Sequence, residues 1–310
     1  MTDISAINPL PLRLFAALAT FVSSFAASPA VAQETEWQLE PTARVETSFV
    51  SAQTSTRDEQ IVVDGDAITA RGQVGVNFED DNTRFRLEAD RIEVFRLGDG
   101  RSNSNRDRIT AQFDQELSAD WDVQLRGRYY DDLVTAESSD TDELQGSVRV
   151  SYEPVRAHRI RVRASWRDRE YDNGANPQTT GEGPRVDAQY RHRLGRYHYI
   201  NFDLRAESID SDDPERGYSR QSAKASYTHP ITPDLRVRPA LEYVHTKFDG
   251  RLTETGERRD DNLIVPELEL LWWPDQWRIE AEAKYITSSS NLATRQREGY
   301  RLTLSVGYVF

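Results

Sequence analysis

From Arg159 to Arg167 the chain reads RIRVRASWR, with arginine or serine at every odd position and Ile160, Val162, Ala164 and Trp166 at the even ones. A helix would scatter those charges around its axis. A strand sends successive side chains to opposite faces, so the segment divides into one cationic face and one apolar face. The same period of two recurs in about fourteen segments of strand length. Phe85, Leu87 and Ala89 form one such row, as do Ile200, Phe202, Leu204 and Ala206. The final row is Tyr300, Leu302, Leu304, Val306, Tyr308 and Phe310. The first strand, around Trp37 to Val50, alternates less cleanly.

The connections between segments also alternate. Short turns, such as EDDN at Glu79, EP at Glu153, LGR at Leu194 and WPDQ at Trp273, take turns with longer polar stretches. The long ones lie near 51–66, 97–105, 131–142, 168–184, 208–217, 247–262 and 287–298. A soluble sandwich has no reason to sort its loops by length. A membrane barrel does, with tight turns at one rim and long loops at the other. Aromatics sort with the loops. Phe78, Phe85, Trp121, Tyr152, Tyr197, Tyr199, Tyr227, Trp272, Trp277, Tyr308 and Phe310 lie beside short turns. Phe49, Phe95, Tyr129, Trp166, Tyr218, Tyr243, Tyr285 and Tyr300 lie toward the long loops. Two aromatic belts are what two membrane interfaces select.

Composition removes other classes. Of 310 residues, 37% are hydrophobic and 29% charged, too polar for a helical membrane protein. There is no cysteine, hence no disulfide, thiolate metal site or cysteine nucleophile. A net charge of −13 argues against a general nucleic-acid binder. Arg13 precedes LFAALATFVSSFAASPAVA, a charged start, an apolar run and a small-residue ending at Ala30-Val31-Ala32. This reads as a signal peptide over 1–32, cleaved between Ala32 and Gln33, followed by one exported domain over 33–310.

With these features the chain resembles Gram-negative outer-membrane β-barrels of the porin-like kind over its whole mature length. The most specific piece is GYRLTLSVGYVF, whose alternation and terminal Phe310, with Tyr308, resemble the signal read by the barrel-assembly machinery. The resemblance implies an all-β, transmembrane, antiparallel up-and-down barrel of fourteen strands, with 12 or 16 as alternatives. It implies residence in the outer membrane as a monomer, with outer-membrane lipid, lipopolysaccharide and the assembly machinery as partners. The segment SSSNLATRQREGYRLTLSVGYVF is also similar to the C-terminal hairpin of the barrel domain of surface lipoprotein assembly modifiers. Those proteins carry a periplasmic helical-repeat domain ahead of the barrel, whereas here only Gln33 to about Trp37 precedes the first strand.

If the apolar parity meets lipid, the other parity lines the lumen. There Arg126, Arg128, Arg149, Arg159, Arg161, Arg163, Arg191 and Arg205 gather on one stretch of wall. Glu242, Glu267, Glu269, Glu280 and Glu282 occupy the later wall, with Glu40 and Glu46 on the first strand. Unpaired charges cannot sit in a dry core, so this lumen is expected to be wet or densely ion-paired. Fourteen strands spaced about 4.8 Å apart and tilted about 40° close at roughly 28 Å between backbones, leaving on the order of 10 Å inside. No plug segment is visible in the sequence. The reading is therefore a channel passing small polar or anionic solutes, with opposed charges as in a porin constriction. The alternatives are a structural barrel with an ion-paired closed lumen and a surface-protein assembly or export barrel.

An outer-membrane hydrolase is the remaining alternative, and the histidines argue against it. His158, His192, His198 and His245 share the apolar parity of their strands, and His229 is in a short turn. A general base must reach its partner within hydrogen-bond distance. No catalytic residue, cofactor or metal ligand is assigned. The acidic stretches DDLVTAESSDTDE and DSDDPE suit either divalent-ion bridging to lipopolysaccharide or plain solvation.

Overall fold

The computed structural model describes residues 37–56, 62–98, 102–135, 137–138, 140–172, 174 and 177–310. The expected signal peptide lies outside the described residues, apart from which the barrel occupies Gln38 to Phe310.

The strands are β1 (Gln38–Thr56), β2 (Val62–Asp64), β3 (Ala67–Glu79), β4 (Thr83–Arg96), β5 (Ser104–Ser118), β6 (Trp121–Asp131), β7 (Thr141–Val155) and β8 (His158–Tyr171). They continue as β9 (Thr179–Gly195), β10 (His198–Ser211), β11 (Tyr218–Pro230), β12 (Leu235–Leu252), β13 (Arg258–Trp272), β14 (Trp277–Ser290) and β15 (Arg297–Val309). From β3 to β15 each pairs antiparallel with its sequence neighbour, β1 pairs with both β2 and β3, and β15 returns to pair with β1 along Arg44 to Thr56. The three residues of β2 continue β3 along β1: Gln53 faces Asp64 and Val50 faces Ala67 in one unbroken register. Gly65 and Asp66 interrupt the strand, and Gly65 N–H still donates to the Ala52 carbonyl at 2.6 Å. Counting β2 and β3 as one, fourteen strands close the barrel. Closure pairs β1 and every strand from β3 to β15 on both sides, which is what a sheet in lipid requires.

Burial is inverted relative to a soluble protein. Phe202 and Leu204 are 48% and 57% exposed, while Arg126 and Arg167 are 9% and 2% exposed. The apolar parity of nearly every strand faces outward, and the charged parity faces in. The tetrad Ile160, Val162, Ala164 and Trp166 of β8 lies on the outer face, with Arg159, Arg161, Arg163 and Arg167 opposite. The short turns gather at one rim, where paired rings form the first aromatic belt. Trp121 stacks on Tyr152 at 4.4 Å, Trp277 meets Tyr308 edge-on at 5.1 Å, and Tyr308 meets Phe310 at 4.7 Å. His158 and His198 join this belt through the hydroxyls of Tyr190 and Tyr227, each at 2.7 Å.

Two expected belt residues point the other way. Tyr218, placed by sequence in the long-loop belt, shares the parity of Arg220 and Lys224 and is buried on the lumen side. Tyr199 lies under the guanidinium of Arg191 at 4.6 Å, on the side of the charged row. A tyrosine is amphipathic enough for either face, so ring type alone does not fix its direction.

Candidate functional site: the arginine-lined lumen

The cationic wall is built by register. Across β7 and β8, Arg149 faces Arg163 directly, and across β8 and β9, Arg159 faces Arg191. Like charges placed directly opposite are destabilising in a sheet, and they concentrate on this wall. Neutral amides hold some of these side chains, and aspartates pair with others. Arg163 donates to Gln124 at 2.9 Å, and Arg191 donates to Asn201 at 2.8 Å. Arg149 reaches Asp122 at 3.2 Å and Asp114 at 3.5 Å. Arg205 shares Asp187 with Arg185, at 2.7 and 2.8 Å. The buried Nε atoms of Arg126, Arg128, Arg159, Arg161 and Arg163 have no hydrogen-bond partner among the described residues.

Two cavities lie against this wall. The larger, about 640 Å³, takes Arg126, Arg128, Arg163 and Arg205 from the expected set and adds Arg106, Arg167, Arg169 and Arg220 among others. The smaller, about 380 Å³, is lined by Arg149, Arg161 and Glu242 among others. Arg163, Arg185 and Arg205 line both, so the two cavities meet at that level.

On the acidic wall Glu46, Glu267, Glu269 and Glu282 are ion-paired on the spot. Glu267 receives Lys224 Nζ at 2.9 Å and Lys284 Nζ at 3.4 Å. Lys284 also holds Glu282 at 2.8 Å, and Arg238 pairs with Glu269. Glu280 accepts a hydrogen bond from Trp273 Nε1 at 3.0 Å, and Glu46 pairs with Arg44 at 2.7 Å. The expected transverse field is therefore weakened at its negative pole. What remains is cationic excess on the opposite side.

No plug is visible in the sequence, yet described residues of the segment between β6 and β7 turn into the lumen. Leu133, Val134 and Thr135 line the larger cavity. Glu137 is buried and pairs with Arg169, accepts the Tyr171 hydroxyl at 2.9 Å, and its carbonyl receives Arg251 Nη2 at 3.1 Å. At the neck of this segment burial, then a hydrogen bond with Asp132, raises the Asp140 carboxyl above the ordinary aspartate range. The polar sequence DDLVTAESSDTDE reads equally as a solvated outer loop, and only the partners across the barrel show which way it turns.

Those partners depend on two glycines. Arg167 and Arg169 of β8 face Gly183 and Gly181 of β9. With no side chain in the way, Arg167 reaches past β9 to Glu207 at 3.2 Å and to the Ser208 carbonyl at 3.2 Å on β10. Arg169 reaches the Tyr218 hydroxyl on β11 at 3.3 Å. Beyond them, Arg251 and Arg259 both lie 4.5 Å from the Phe248 ring. Burial, with Arg259 and Arg297 nearby, lowers the pKa of Arg295 on the turn Ala293–Arg295.

The histidines remain off the lumen. His245, on the outer face, does meet acidic and amide neighbours: its Nδ1 lies 3.3 Å from Asp260 and 3.1 Å from Asn262.

A closed antiparallel barrel with an apolar exterior, two aromatic rims and a charged interior is a transmembrane barrel, and this chain is an outer-membrane β-barrel. Among solved structures it is similar to outer-membrane expressed OmpT of Vibrio cholerae, with a TM-score of 0.54 and 8% identity over 91% of this chain and 100% of that one. It is also similar to OprB of Pseudomonas putida, with a TM-score of 0.53 and 8% identity over 88% of this chain and 94% of that one. At such identities the likeness shows the fold. No family model and no curated protein matches the sequence.

Proposed function

We propose that the barrel is a porin-like channel for small polar and anionic solutes, without enzymatic activity. The observation that carries this reading is the arginine wall. Arginines of this wall, among them the directly opposed Arg149 and Arg163 and several with unpartnered buried Nε atoms, line two cavities that meet at Arg163, Arg185 and Arg205, while the opposed Arg159 and Arg191 line neither. A barrel held shut by ion pairs would match each arginine to a carboxylate, because an unpaired buried charge costs several kcal/mol. On this wall the cations outnumber the carboxylates. Charge in a low-dielectric constriction selects solutes by sign. The expected partners, lipid and lipopolysaccharide outside and the assembly machinery during insertion, belong to the same proposal, as does the monomeric state.

Planar-bilayer recording of the refolded barrel tests it. Discrete conductance steps are expected. Their absence would favour the structural barrel, whose support is the inward segment anchored by Glu137 and the paired glutamates of β13 and β14.

A further inference from the structure

One wall of the larger cavity carries an apolar patch beside Arg259 and Asp261. Val244 and Phe248 of β12 and Leu263 of β13 line it, and Val244 faces Leu263 across the ladder. Val244 and Phe248 are buried on the lumen side of a barrel whose other apolar residues mostly face lipid. In the closed strand order β12 stands opposite β5 and β13 opposite β6. Arg106 and Arg108 of β5, with Arg126 and Arg128 of β6, therefore look across the same cavity at this apolar patch. The buried Nε atoms of Arg106, Arg126 and Arg128 have no hydrogen-bond partner among the described residues.

This arrangement is not suited to a fully hydrated inorganic ion, which gains nothing from Val244, Phe248 and Leu263. It suits a solute with two sides. A carboxylate or sulfonate accepts charge-assisted hydrogen bonds from guanidinium groups, while a hydrocarbon body loses contact with water against the apolar wall. The volume, about 640 Å³, lies within the usual range of small-molecule sites, roughly 300–1,000 Å³.

We infer that the larger lumen cavity is a binding site for amphiphilic organic anions, molecules carrying one carboxylate or sulfonate on a hydrocarbon body. The inference rests on the channel reading for access to the site, and names the solute class that the channel prefers.

Two sulfonates of equal charge separate the contributions of the two walls. Single-channel currents in KCl are recorded with increasing 1-hexanesulfonate or methanesulfonate. Hexanesulfonate is expected to block at about tenfold lower concentration, the weight of roughly two buried methylenes. The readout is the ratio of the two blocking concentrations. The double substitution Val244→Thr with Leu263→Asn should bring that ratio close to unity, and Val244→Thr alone, should the pair fail to insert, should reduce it. Equal blocking by both sulfonates in the native barrel, or a ratio that survives both substitutions, would overturn the site. A barrel without KCl conductance would overturn the channel reading alone. Calorimetric titration of the barrel in lipid nanodiscs, against empty nanodiscs, then decides the site. Tighter binding of hexanesulfonate than of methanesulfonate supports it, and no preference overturns it.

Discussion

At the scale of single residues, the lumen is organised by what is missing as much as by what is charged. An ideal Cβ on Gly183 would lie 2.1 Å from the Ser208 carbonyl oxygen, too close for any side chain. The Gly183→Ala variant is expected to lose about 1–3 kcal/mol, the usual cost of overpacking. Urea unfolding followed by tryptophan fluorescence would measure it, and a variant as stable as the native barrel would contradict the close approach of β9 to β10 at Gly183. The arginines themselves were legible in the sequence from parity. Which of them remain uncompensated was not, because a carboxylate partner comes from a neighbouring strand and its register is set by the whole barrel. Replacing Arg161, Arg163 and Arg191 with alanine is expected to shift ion selectivity toward cations. Unchanged reversal potentials would remove those three from the selectivity mechanism.

At the scale of elements, strands run further than alternation reveals. Lys247 to Leu252 and Thr179 to Pro184 read as loop in the sequence, yet belong to β12 and β9. Past the bilayer both faces of a strand meet water, so polarity stops alternating while the hydrogen-bonded ladder continues. The apolar lumen wall was hidden for the opposite reason. Around Val244 and in Leu263–Ile264–Val265 neighbouring positions are both apolar, so no row announces which one turns inward. The segment between β6 and β7 depends on Glu137, whose pairing with Arg169 is buried. Removing one partner of a buried pair typically costs about 3–5 kcal/mol. The Glu137→Gln variant is therefore expected to free the segment from the wall and raise single-channel conductance. A conductance equal to that of the native barrel would show that the segment does not narrow the path.

At the scale of the molecule, the two faces of the cylinder obey opposite rules. Leu204 points to lipid, whereas Gln189, which holds Asp203 at 2.7 Å, points to the lumen. The Leu204→Arg variant should make insertion less favourable by about 2–4 kcal/mol near the bilayer midplane. Arginine at position 189 should cost far less. Equilibrium folding into lipid vesicles compares them, and equal losses would contradict the assignment of faces. Strand number, closure and the outward band were legible because each strand repeats the same signal and lipid tolerates few exceptions. The lumen follows no such uniform rule, since water, ion pairs and apolar side chains all occur inside it.

The central claim is that uncompensated arginines make the lumen anion-selective. The reversal potential of the native barrel across a KCl gradient tests this most directly. The account predicts a potential displaced toward the chloride equilibrium value. A potential at or beyond zero toward the potassium value would contradict it.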